Sequence, residues 1–318
     1  MKTIHLRPVD IDRDFGPLAA LFTREQDEPT TEAGLKLDYE QHKARIFRLM
    51  VAENEQGAWM GFSWATRSRF DATRAYFYVI VRPEMRCRGA GSRLYQDIEQ
   101  AAKAAGIGRL QISVCDNRPE CRAFAERYGF RVSGHSIAMA LNLDAFDDRP
   151  YDALLARLQG EGFQFTSMQA LGNTEDAQRK LYALNEMTGI ETPGSDGSPS
   201  WLSFEDFRQK VCQADWYRPA GQMVVIDTAS GTWAGMSAIT RFAGADYAYN
   251  LHTGVDKRYR GRKLGQAVKI MALRYARAVL KVSTVRTHHN ALNVPMIAID
   301  RKFGYMQMPG TFSMEKDL

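Results

Sequence analysis

Arg86-Cys87-Arg88-Gly89-Ala90-Gly91 and, 174 residues later, Arg260-Gly261-Arg262-Lys263-Leu264-Gly265 share one grammar. Each stretch follows a strand-like run and opens an Ala-rich, helix-like one. A helix start carries unpaired backbone N–H groups and the positive end of the helix dipole, which together form a ready anion site. A loop poor in side chains lets a pyrophosphate approach that backbone closely. The two stretches therefore read as a duplicated phosphate loop.

The same register pairs Trp59 with Trp233, Gly61 with Gly235, Ser63 with Ser237, Thr66 with Thr240 and Arg67 with Arg241. Arg86, Arg88 and Gly91 then face Arg260, Arg262 and Gly265, and Tyr128-Gly129-Phe130 faces Phe303-Gly304-Tyr305 after one inserted residue. A repeat of this length indicates two copies of one domain. At 318 residues each copy has room for its own core.

Hydrophobic and charged fractions of 45% and 25% belong to a globular chain. The net charge is only +5 and no basic run is long, which argues against nucleic acid as a partner. Cys87, Cys115, Cys121 and Cys212 show neither metal spacing nor a disulfide framework, so a reducing, cytoplasmic setting and no metal are expected. Charged residues Lys2, Arg7, Asp10, Asp12, Arg13 and Asp14 argue against a signal peptide, and no apolar run is long enough to span a membrane.

Periodicity predicts, in the first half, strands at 3–9, 47–53, 58–67, 74–81 and 111–114, with a final strand at 131–141. Helices fall at 14–22, 92–105 and 119–127. The order restarts with a strand at 163–170, a helix at 176–187, a hairpin at 222–227 and 233–240, and a long strand at 247–255. A helix at 266–280, a strand at 282–287 and a helix at 295–303 complete it. The polar segment 144–150 reads as a linker. The domain limits are thus 1–146 and 163–318, with a linker and connecting helix over 147–162. The irregular stretch 191–200 reads as a lid over the second half's cleft.

A strand, then Arg-x-x-Gly-x-Gly at a helix start, then strand, helix and Gly-Phe resembles the Gcn5-related N-acetyltransferase (GNAT) family, twice over. Arg86, Gly89, Gly91 and Tyr128-Gly129-Phe130 carry the likeness in the first half; Arg260 and Gly265 carry it in the second, with Lys263 in place of the first glycine. Thr253-Gly254-Val255 before the second loop, and Asn290, Asn293, Pro295 and Met296 after it, are similar to tandem bacterial members. No close match to the substrate-binding sequence of a tandem member is present, so no acceptor is carried over.

The resemblance implies an α/β fold of two tandem GNAT domains, each a mixed, mostly antiparallel sheet flanked by helices with a splayed acyl-CoA cleft. It implies acetyl-CoA as co-substrate, held by Arg86, Arg88, Gly89, Ala90, Gly91 and Ser92 in the first copy. Arg260, Arg262, Lys263, Leu264, Gly265 and Gln266 are the second set, with Asn293 added. Ile80 and Val81, and Thr253, Gly254 and Val255, would bond the pantetheine arm. Many family members place a thiolate-protonating tyrosine four residues before the glycine of Gly-Phe. That position is Ala125 in one half and Asp300 in the other, so each half reads as a degenerate copy in this respect.

Acetyl transfer to an alkyl amine needs a neutral nitrogen, and an ammonium of pKa near 10 opposes this by roughly 4 kcal/mol at pH 7. A base must take that proton. His252, Asp246 (through water) and Tyr249 are the candidates on the second half's long strand, with His252 and Asn250 expected to share a face by alternation. Tyr76 and Tyr78 are the first half's counterparts, Glu186 is a candidate for a substrate cation, and His288 and His289 point to opposite faces and form no metal pair. The expected function is acetyl transfer to a small-molecule amine, with the chemistry in the second domain. The alternatives are an acyl-CoA-binding pseudoenzyme or sensor, and a protein-acetylating enzyme. Neither nucleic acid nor membrane is expected as a partner, and a homodimer is left open.

Overall fold

The computed structural model describes residues 3–25, 30–195 and 197–318. Two compact units emerge: Met1–Ser133 with Thr311–Leu318, and Gly134–Gly310. Chain order begins β1 (His5–Pro8), α1 (Ile11–Glu25), α2 (Glu32–His42), β2 (Ile46–Glu53), β3 (Trp59–Arg67) and β4 (Arg74–Val81). It continues α3 (Ala90–Ala104), β5 (Arg109–Cys115), α4 (Pro119–Arg127), β6 (Arg131–Asn142), α5 (Asp152–Gly160), β7 (Phe163–Ser167) and α6 (Glu175–Ile190). Then come α7 (Phe204–Phe207), β8 (Gln222–Asp227), β9 (Thr232–Thr240), β10 (Ala248–Val255), α8 (Leu264–Tyr275), β11 (Thr284–Asn290), α9 (Val294–Phe303) and β12 (Met306–Asp317). Among the described residues no helix is long and apolar enough to cross a membrane.

The first unit's sheet runs β1-β2-β3-β4-β5-β12, antiparallel except between β4 and β5. Residues at i, i+4 and i+8 of α3, namely Leu94, Ile98 and Ala102, are fully buried against one face. Phe15, Leu18 and Phe22 of α1 pack with Phe62 and Trp64 on the other. Each such side chain contributes roughly 1.5–3 kcal/mol of burial.

The second unit repeats the plan as β6-β11-β10-β9-β8-β7, with β10 and β11 the parallel pair. Leu264, Val268 and Leu273 of α8 fill one face with Ile239, Ala248 and Val285. Leu181 and Leu184 of α6 and Phe204 and Phe207 of α7 fill the other with Met236 and Ala238.

The closing strands are exchanged. β6, read as the final strand of the first half, pairs antiparallel with β11 from Ser136↔Asn290 to Asn142↔Thr284. The β12 strand pairs with β5 from Thr311↔Cys115 to Asp317↔Arg109. Contiguous limits of 1–146 and 163–318 therefore differ from the compact units. The polar segment 144–150 is tied down within unit two: Arg277 bonds the carbonyls of Leu143 and Phe146, and Asp148 bridges Arg274 and Arg277.

Both units splay at the parallel pair. The β4–β5 ladder holds Arg74–Tyr76 against Arg109–Gln111, and β4 then continues to Val81 with its β5 side unpaired among the described residues. The β10–β11 ladder holds Ala248 and Tyr249 against Val285 and Arg286, leaving that side of β10 open to Val255. Such an edge offers a row of free backbone donors and acceptors to an extended ligand.

Candidate active site

Each loop bends through two left-handed residues: Cys87 (φ 57°) and Gly89 (φ 93°) in the first, Gly261 (φ 81°) and Lys263 (φ 67°) in the second. Only glycine adopts this conformation freely, and each loop has glycine at one of the two positions. Gly89 and Lys263 are the N-caps of α3 and α8, and neither helix start receives a side-chain cap. By contrast Thr31, Thr174, Ser203 and Asn293 cap α2, α6, α7 and α9. The first-turn N–H groups of Ala90, Gly91 and Ser92, and of Leu264, Gly265 and Gln266, are thus left for an outside acceptor. A pyrophosphate fits that donor set. Arg88 and Lys263 are exposed beside it and, among the described residues, neither has a carboxylate partner. Arg262 is engaged by Glu161 at 3.2 Å and stacks on Phe163.

Arg86 and Arg260 are braces. Arg86 Nε donates to the Val81 carbonyl at 3.2 Å and its Nη2 to Glu25 at the end of α1. Arg260 Nε donates to the Val255 carbonyl at 3.0 Å and its Nη2 to Glu191, the C-cap of α6, at 2.5 Å. Both arginines, expected at the cofactor, fix the splayed strand and helix α1 or α6 to the loop. Asn293 likewise accepts from Met296 N as a helix cap.

In unit two a bulge interrupts β10: Asn250 faces Ile239 and His252 faces Ala238, with Leu251 as the extra residue. The expectation that Asn250 and His252 share a face is therefore corrected. Asn250 lies with Ser237 and Thr253 on the α8 face, its Nδ2 donating to Ser237 Oγ at 3.2 Å and to the Ala238 carbonyl at 2.8 Å. His252 lies on the α6 face, its Nε2 2.8 Å from Thr188 Oγ1. That hydroxyl donates to the Leu184 carbonyl at 2.7 Å, so it accepts from an Nε2–H. Burial lowers the His252 pKa to about 4, leaving the ring neutral. A Cβ on Gly254 would stand 2.4 Å from Thr188 Oγ1, which explains the glycine.

Tyr249 Oη lies 2.5 Å from His288 Nδ1, with the rings stacked at 5.6 Å, where β10 and β11 part. Sequence reading paired His288 with His289 and dismissed both; only the β10–β11 register puts His288 beside Tyr249. Asp246 is exposed in the turn before β10, six residues along the chain from His252. Glu186, a candidate for a substrate cation, is half-buried and accepts from the Ser200 and Trp201 backbone, and desolvation raises its pKa. It thereby anchors one end of the irregular loop. Gly194 in that loop accepts from Asn290 Nδ2 at 3.2 Å at the end of β11, while Glu191 holds Arg260.

The equivalent positions of unit one carry different residues. Tyr78, at the position of His252, packs edge-on to Phe22 at 5.5 Å. Ser63, the counterpart of Ser237, is buried with an unpartnered hydroxyl. Ala125 is buried in the core. In unit two Asp300 is fully buried between Lys269 Nζ and His289 Nε2, the latter at 2.6 Å. Burial lowers the Lys269 pKa, while Asp300 opposes that shift. Asp300 is thus fully engaged within the protein rather than presented to a leaving group.

Residues 13–130 match the model of the acetyltransferase (GNAT) family. Mycothiol acetyltransferase of Mycobacterium sp. (strain MCS) is 24% identical over 265 residues, covering 82% of this chain and 80% of the relative. A tandem GNAT protein from the clavulanic acid biosynthesis pathway superposes with a TM-score of 0.71 at 18% identity, covering 99% and 98% of the two chains. A GCN5-related N-acetyltransferase from Sphaerobacter thermophilus gives 0.70 at 18% identity over 99% and 95%.

Proposed function

We propose that this chain, a tandem member of the acetyltransferase (GNAT) family, transfers an acetyl group from acetyl-CoA to the amine of a small molecule, and that unit two performs the transfer. The observation that carries the assignment to unit two is the Tyr249–His288 contact at the opening of its cleft. By strand register the counterpart of Tyr249 in unit one, where the family model matches, is exposed Tyr76, and Ser113 stands at the position of His288.

Acetyl-CoA supplies an activated acyl group: the amine nitrogen bonds to the thioester carbon, the C–S bond breaks and the thiolate takes a proton. The uncapped amides of Leu264, Gly265 and Gln266 hold the pyrophosphate, helped by Lys263. The open edge of Thr253, Gly254 and Val255 aligns the pantetheine arm. Tyr249 Oη accepts the ammonium proton as its own passes to His288 Nδ1, and exposed His288 returns a proton to solvent. His252 is a positioning residue in this reading. With a pKa of about 4 it is a weak base at neutral pH, and its bond to Thr188 fixes α6 on β10.

The test is CoA thiol release over an amine panel for wild type, Gly91→Asp and Gly265→Asp. An aspartate in the first helical turn is compatible with the helix and puts negative charge where the pyrophosphate sits. Loss of release with Gly265→Asp alone supports the proposal. Loss with Gly91→Asp alone moves the chemistry to unit one, and acetyl-CoA binding without turnover by wild type supports a sensor.

A further inference from the structure

Arg286 is the unusual cation of unit two. It sits on β11 at the last rung before the strands part, opposite Tyr249. Val285 faces the α8 core, so Arg286 and His288 face the α6 side together with Tyr249. The Arg286 guanidinium lies 4.0 Å over the Tyr247 ring. Its Nε is shut off from solvent without a hydrogen-bond partner, and among the described residues no carboxylate or carbonyl engages the other nitrogens. A half-buried guanidinium whose donors are unused is a site rather than a brace. Arg260, Arg274 and Arg277, all braced by carboxylates in the same unit, show the contrast.

We propose that Arg286 binds a carboxylate of the acceptor, so that the substrate class is a compact amine that also carries a carboxylate. This rests on the assignment of transfer to unit two. Terminal guanidinium nitrogens fork onto a carboxylate, with Tyr247 and Tyr249 as apolar walls. The carboxylate at Arg286 then sets the amine near Tyr249 Oη, one strand away at about 5 Å. Glu191 and Gly194, bonded to Arg260 and Asn290, border the same side of the cleft.

The experiment uses the full chain with saturating acetyl-CoA and matched pairs: glycine with glycinamide, β-alanine with β-alaninamide, and 4-aminobutyrate with its amide. Wild type, Arg286→Gln and Arg286→Lys are compared by CoA thiol release, each checked for an unchanged melting temperature. Reading variant over wild type for each compound cancels the amides' more acidic ammonium groups. The expected result is that Arg286→Gln lowers kcat/KM roughly tenfold or more for the acids, through KM, and leaves the amides unchanged. Arg286→Lys should recover part of the loss. Equal effects on acids and amides, or none on either, would overturn the proposal. Failure of every compound despite acetyl-CoA binding would instead overturn the transfer reading, and this inference with it.

Discussion

Thr188 Oγ1 and His252 Nε2 meet at 2.8 Å between α6 and β10, where the first unit sets Phe22 against Tyr78 at 5.5 Å between ring centres. The fold keeps one strand–helix contact twice, polar in one copy and aromatic in the other. The polar version binds a neutral imidazole. Its pKa of about 4 lies below the unfolded value near 6.5, so between those limits the unfolded chain holds the extra proton. Stability should therefore fall as pH drops from 6.5 to 4, by less than about 3 kcal/mol because the ring is partly exposed. Urea midpoints across that range for wild type and His252→Asn check this, the variant giving the flatter curve.

Gly89 and Lys263 share a left-handed conformation at two helix starts, and lysine is strained there. Gly89→Lys should destabilise by about 1 kcal/mol. Lys263→Gly should be close to neutral in stability, because relief of strain offsets the glycine's larger unfolded-state entropy. It should weaken acetyl-CoA binding by roughly 0.3–1 kcal/mol through loss of the helix-terminal charge. Thermal melts and calorimetric titration separate the two effects.

Asp300 lies between Lys269 and His289 with no solvent access. Asp300→Asn leaves Lys269 buried and uncompensated, a loss of about 3–5 kcal/mol. The double change Lys269→Met with Asp300→Leu should recover most of that. Chemical denaturation of wild type and the two variants measures it; a double variant no more stable than Asp300→Asn would contradict a paired interior charge.

Strand β4 and helix α4 coincide with the elements read from sequence, because 74–81 is rich in aromatic and β-branched residues and stops at Pro83, and Pro119 and Gly129 punctuate the helix. The α2 helix escaped notice because only Leu35 of its residues is buried, so it writes little amphipathic pattern. The β12 strand was missed where Pro309-Gly310 interrupts it, and the exchange of β6 and β12 depends on pairing partners that no local pattern encodes. The two loops at the helix starts were legible as a repeated motif, but the left-handed backbone at Cys87 and Lys263 was not. Of the contact proposed to handle the proton, Tyr249 was a candidate on its strand, while placing His288 beside it required the register of a parallel neighbour. The bulge at Leu251 reversed the face of His252 without a glycine or proline to announce it.

The central claim is that transfer occurs beside Tyr249. The direct measurement is kcat for CoA release under saturating acetyl-CoA with the best amine of the panel, comparing Tyr249→Phe with Tyr78→Phe. Loss of the Tyr249 hydroxyl should lower kcat by about 10²-fold or more, the scale of a positioned acid–base group, with Tyr78→Phe unchanged. An unchanged kcat in Tyr249→Phe with a collapse in Tyr78→Phe would place the chemistry in the first unit and contradict the account.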